Sequence, residues 1–205
     1  MTTYHWILVS GFLIFILSAI LIFIKVFVNK RITDITPVKG NVKAAILYSF
    51  TKAMSPLSKE SAYLHLPTYI AGMIFHIGTF LCFFWLIILF FNIYVNIWVL
   101  YISVLSICIA VVCGISILIK RIVKVNLRRL SNTDDYFSNL VVVGFQIITT
   151  ISLLWNLAIP ILFIYGALLF IYIPIGKIKH TIYFFSSRIY LGIYYGRRGV
   201  WPTKR

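Results

Sequence analysis

The stretch LPTYIAGMIFHIGTFLCFFWLIILFFNIYVNIWVLYISVLSICIAVVCGISILIK, residues 66–120, holds no Lys, Arg, Asp or Glu until its final residue. It contains two apolar runs, about 66–91 and 97–119, each long enough to cross the hydrocarbon core of a bilayer, which takes ~20 residues of helix. The five residues NIYVN at 92–96 join them. So short a connection makes the two runs an antiparallel hairpin of membrane-crossing helices.

Working outward, three further runs have the same character, at about 5–27, 138–156 and 160–185. Asn156 to Pro160 joins the last two as a second hairpin. The expected fold is an all-α membrane protein, a five-transmembrane-helix bundle formed by a single integral domain over 1–205. Composition agrees: 61% of residues are hydrophobic and 11% charged, with mean hydropathy +1.00, whereas soluble domains carry far more charge. The run from His5 to Val28 is too long for the apolar region of a signal peptide and has no Lys or Arg before it, so it reads as a retained span.

Charge sets the expected orientation. Of nineteen Lys and Arg residues, seven lie between Lys25 and Lys59, five between Lys120 and Arg129, and seven from Lys177 to Arg205. In a five-span arrangement all fall on one side. Positive loops mark the cytoplasmic side, which places the N-terminus outside and the C-terminus in the cytoplasm. The bases are dispersed along membrane edges, which argues against a nucleic-acid partner. Cys82, Cys108 and Cys113 lie in apolar runs without CxxC spacing and read as small buried hydrophobes. In SNTDDYFSN, residues 131–139, Asp134 and Asp135 suit the start of a helix; the alternative is contact with basic groups.

Four histidines remain. His5 suits an outer interface, and His65 precedes Pro67 at the inner start of the second span. His76 lies about ten residues inside that span, where an ionisable or strongly polar residue normally faces the bundle interior and has a partner. His180 lies in the inner part of the fifth. Neutral imidazole is a common metal ligand and a regular axial ligand of haem iron. Counted from the outer ends of their spans the two depths differ by roughly 7–8 Å at helical rise, close enough for both to serve one iron; by depth alone His65 is an equal candidate. Each of the deeper two follows a glycine by four residues, Gly72 before His76 and Gly176 before His180. On a continuous helix that glycine lies one turn away on the same face and leaves room for a porphyrin. His65 has Ser61 there. Glycine also serves helix packing in membranes, so histidines bonded to neighbouring helices are the alternative reading.

FHIG at 75–78 and PIGKIKH at 174–180 resemble the haem-binding gamma subunit of respiratory nitrate reductases. The tail KHTIYFFSSRIYLGIYYGRRGVWP at 179–202 is similar to cytochrome b-like relatives that accompany iron–sulfur proteins of the heterodisulfide-reductase type. The resemblance implies a b-type cytochrome of a prokaryotic inner membrane, with His76 and His180 as axial ligands, His65 as an alternative ligand, and Gly72 and Gly176 against the haem. The family's second haem needs histidines near positions 86 and 162, where this chain has Leu86 and Leu162, so one haem b is expected. The implied task is electron transfer between menaquinone or ubiquinone and an iron–sulfur partner on the cytoplasmic face, within a hetero-oligomeric complex. Lys177, Lys179 and Arg188 are the expected propionate contacts, or else simply part of the positive inner edge. Gln146, Thr149 and Asn156 are the polar candidates for a quinone site. The rival readings are a non-haem membrane anchor and a small transporter; the latter lacks a carboxylate inside any span and any inverted repeat.

Overall fold

A computed structural model describes residues 2–29, 37–55 and 65–203. Those residues form helices and their connections, with no strand among them. In chain order the helices are α1 (Thr3–Asn29), α2 (Val42–Phe50), α3 (Leu66–Phe90), α4 (Ile97–Val123), α5 (Val125–Arg129), α6 (Thr133–Leu154), α7 (Ile159–Tyr172) and α8 (His180–Arg197). Four of them, α1, α3, α4 and α6, are long and apolar enough to cross a membrane, and a fifth crossing exists if α7 and α8 are counted as one broken span. The architecture is that of a multi-pass helical membrane protein, with exposed Leu, Ile and Phe along its spans available to lipid.

Three spans match expectation closely, and α6 starts five residues early for a local reason. The Asn132 side chain accepts from the Asp135 backbone N–H at 3.1 Å, and the Asp135 carboxylate accepts from the Asn132 N–H at 2.9 Å. This reciprocal cap satisfies donors that the first helical turn leaves orphaned. The fifth run departs from expectation. Its helix stops at Tyr172, passes through a turn and a short 3-10 segment at Lys177–Lys179, and restarts at His180. Pro174 lies in the break; it has no N–H to give a helix and its ring clashes with the carbonyl four residues back. The short helix α2 is the other addition, in a stretch expected only as an inner loop. Its Asn41 side chain accepts from the Ala44 N–H at 3.1 Å.

The chain divides into two compact units, one of residues 1–16 and 67–178 and one of residues 17–66 and 179–205. The first is cored by Leu8, Trp85, Ile107, Phe145, Phe163 and Phe170. Lipid removes the hydrophobic drive that joins helices in water, so close packing and polar bonds must hold this core. Gln146, fully buried on α6, supplies one such bond: its Nε2 donates to the Phe75 carbonyl and the Thr79 hydroxyl of α3, each at 3.0 Å. An ionic cluster closes the ends of α4, α6 and the segment after α7. Asp135 pairs with Arg121 at 3.0 Å and with Lys177 at 2.5 Å. The Tyr172 hydroxyl bonds Asp134 and, at 2.8 Å, Ser138.

In the second unit α2 and α8 pack against each other. Small residues permit this. A Cβ on Gly192 would lie 2.5 Å from the Ile46 Cα, and one on Gly196 would lie 2.7 Å from the Ala45 Cβ. The Ser49 hydroxyl donates to the Arg188 carbonyl at 2.9 Å. Gly192 thus lies against the Ile46 backbone and Gly196 against Ala45 and Val42, and Ser49 meets the turn of α8 at Arg188.

Candidate functional site

The spacing of Phe75, Gly78, Cys82, Trp85 and Leu86 turns one face of α3 into the first unit's interior, where all five are buried. His76 stands one residue out of phase with that face. It is therefore on the exposed side of the helix, ten residues in from Leu66, and not on the interior face expected of a polar residue at that depth. Its ring lies 5.9 Å from that of Phe75. A Cβ built on Gly72, one turn below, would meet nothing within 4 Å among the described residues. This is a flat, open stretch of helix beside an imidazole. The backbone beneath it is held in place, because Gln146 and Thr79 both bond the Phe75 carbonyl.

His180 differs. It is the first residue of α8 and is exposed. Gly176 precedes it by four residues, but turn and 3-10 backbone intervene, so the glycine is not one α-helical turn below the histidine. The space beside Gly176 is filled by the Tyr172 ring, into which any Cβ at 176 would project. That ring is itself fixed by Asp134 and Ser138. The two glycines therefore differ in setting: the turn at Gly72 is open among the described residues, whereas the space at Gly176 is taken by Tyr172. The cause is the helix break, which Pro174 makes.

The three expected propionate partners have separate settings. Lys177 is engaged with Asp135 in the first unit. Lys179 is exposed at the start of α8. Arg188 lies over the Phe184 ring at 5.4 Å. His65 is exposed immediately before α3. His5 packs against Phe90 and Phe163, with ring centroids 5.2 and 4.9 Å away, and its Nδ1 meets the Thr2 hydroxyl at 2.8 Å. Among the described residues no three of His, Cys, Asp and Glu come together as a metal cluster.

Of the quinone candidates, Gln146 and Thr149 are fully buried, and the Thr149 hydroxyl donates to the Phe145 carbonyl at 2.8 Å. The Gln146 Oε1 has no hydrogen-bond partner. Asn156 alone borders open space, an open cleft of about 830 Å3 lined also by Leu153, Trp155, Leu157 and Ile161. What the sequence reading missed is the α2–α8 pair. Its signal was present in Gly192, Gly196, Ala45 and Ser49, small residues at four-residue spacing.

No protein-family model matches this chain, no curated protein matches it, and no solved structure matches its fold.

Proposed function

We propose that this chain is a b-type cytochrome subunit of a quinone-linked membrane oxidoreductase. In this reading one haem b has His76 and His180 as axial ligands, and the chain passes electrons between menaquinone or ubiquinone and an iron–sulfur partner at the cytoplasmic face of a prokaryotic inner membrane. The observation that carries the reading is His76 itself. An imidazole at that depth on an apolar helix marks a functional position, and among the described residues the turn at Gly72 leaves room for a large flat ligand beside it. The resemblance of FHIG and of PIGKIKH to haem-binding gamma subunits supports the same assignment. The fit is uneven: α3 offers room for a porphyrin, whereas at His180 the ligand side chain is accessible without a glycine surface next to it.

A bound haem would supply one-electron transfer at the iron. The chain's part is to hold that iron with two neutral imidazoles, to exclude water with the apolar spans, and to set the potential through ligand and burial. Cations near the inner edge, Lys179 and Arg188 foremost since Lys177 already serves Asp135, are the groups to meet the propionates. Asn156 and its cleft are the most accessible of the polar sites for a quinone.

Pyridine haemochrome analysis of the purified protein tests the reading, with haem counted per chain. One haem b is expected, retained in His65→Ala. A haem-free protein would overturn the reading and leave the anchor as its successor. Two haems per chain would refute the single site and the assignment of Leu86 and Leu162 as lost ligand positions. Reporter fusions at the two termini test the orientation, with the C-terminus expected in the cytoplasm.

A further inference from the structure

Among its described residues the unit built on α2 and α8 carries one sign of charge; its two acids, Asp34 and Glu60, lie outside the described residues. Its described residues include eight Lys and Arg and no Asp or Glu. Half of those cations are gathered at one end of the helix pair. The Lys39 backbone N–H donates to the Arg197 carbonyl at 2.7 Å. Gly40 approaches so closely that a Cβ there would lie 2.6 Å from the Gly196 carbonyl oxygen and 2.7 Å from the Gly199 Cα. Gly199 permits this with a left-handed backbone, φ +70°. Lys39 and Arg197–Arg198 are thereby brought side by side, and Lys43 follows in the first turn of α2.

Of the four cations, Arg198 has its side chain fixed by neighbours. The Arg198 guanidinium stacks 3.6 Å over the Tyr194 ring and donates to the Tyr194 carbonyl at 3.0 Å. The residues after α8 fold back: the Trp201 ring packs on Tyr195 and Tyr48, with centroids 4.6 and 5.4 Å away, and the Thr203 hydroxyl meets the Tyr48 hydroxyl at 2.9 Å. Exposed apolar and aromatic groups, Val38, Tyr194 and Val200, interleave with the bases and are about half exposed.

We propose that Lys39, Lys43, Arg197 and Arg198 form a binding site for the phosphate headgroup of an anionic phospholipid, with Val38, Tyr194 and Val200 against the upper acyl chains. Two features favour lipid over an acidic protein. The sequence connects the pair to membrane-crossing helices at both ends, α1 before α2 and α3 after it, which keeps the site near a bilayer. The mixture of cations with exposed aliphatic and tyrosine side chains is what the headgroup boundary accommodates. The site is independent of haem binding.

The test is native mass spectrometry of the full-length protein released from nanodiscs of phosphatidylcholine with one part in three of phosphatidylglycerol, counting each lipid retained. Wild type is expected to keep phosphatidylglycerol selectively. Each basic residue near an anionic surface contributes roughly a fivefold preference. The variant with Lys39→Gln, Lys43→Gln, Arg197→Gln and Arg198→Gln should therefore lose the preference at least about tenfold. A control with the same charge loss at Lys120, Lys124, Arg128 and Arg129 should retain it, as should a variant exchanging Lys for Arg and Arg for Lys at the four site positions. If the quadruple variant does not fold, the two double variants, Lys39→Gln/Lys43→Gln and Arg197→Gln/Arg198→Gln, read the same effect. Equal loss in the control, or no selectivity in wild type, overturns the proposal. So does displacement of the lipid by millimolar inorganic phosphate or by polyglutamate, which would assign the site to free phosphate or to an acidic protein.

Discussion

The turn from Gly72 to His76 and the segment from Gly176 to His180 share one layout in sequence and have two structures. In the first, an unbroken helix carries both residues and leaves the glycine face open. In the second, the chain leaves the helix between them, and Tyr172 occupies the space at the glycine. Spacing of four residues means a shared face only where the helix is continuous, and Pro174 removes that continuity. The supports differ as well. The His76 turn is pinned by a side-chain amide from α6, whereas the helix that begins at His180 is held by glycines pressed against α2.

The largest effect should come from removing a ligand. His76→Ala and His180→Ala should each yield protein of wild-type fold without a Soret band. Loss in His76→Ala with full retention in His180→Ala would restrict the haem site to α3 and require another second ligand. Next, Gly196→Leu forces a branched side chain against Ala45 and the Val42 backbone. Overpacking of this kind costs about 1–3 kcal/mol or more. A lowered thermal midpoint in detergent, with Trp201 fluorescence shifted toward that of an exposed indole, would show α8 parting from α2; an unchanged midpoint would mean that this contact does not hold the pair.

The two glycines can then be set directly against each other. A Cβ at Gly72 meets no atom of the described residues, so Gly72→Leu should keep stability within about 0.5 kcal/mol of wild type while haem content falls. Gly176→Leu must displace the anchored Tyr172 ring, so stability should fall by about 1–3 kcal/mol, and haem content only in step with folding. The reverse pattern in a paired thermal and haemochrome assay would place the porphyrin at Gly176. A smaller loss than that of Gly176→Leu should come from Asp135→Asn, which weakens two ion pairs and half of the α6 cap. Because Arg121 and Lys177 retain access to solvent, with 34% and 50% of their side chains exposed, the cost should be about 1 kcal/mol. A thermal midpoint lower by several times that would show the cluster to be a principal support of the segment leading to His180.

Much of the architecture was legible from residues 66–120 and their counterparts. Long apolar runs without charge have one stable form in a bilayer, a helix that satisfies its own backbone. The capping character of SNTDDYFSN was legible because capping is local chemistry, although the expected span began at 138, five residues after α6 starts. The exposure of His76 follows from its phase relative to Phe75, Gly78 and Cys82, but no single residue states that phase. The fate of Lys177 was not legible, because a cation at a helix end suits a propionate, a headgroup or a carboxylate equally well. Only the structure places Asp135 beside it.

The amino-acid sequence by itself determined the membrane class and, to within a few residues, the positions of the four continuous spans. These follow from hydropathy and local hydrogen bonding, which act within about twenty residues of chain. Tertiary structure decided the rest: that the fifth run is broken, that Gly176 faces Tyr172, and that Gly192 and Gly196 seat α8 on α2. These depend on contacts between residues far apart in the chain, where the space left by a missing side chain has meaning only once the atoms that fill it are known.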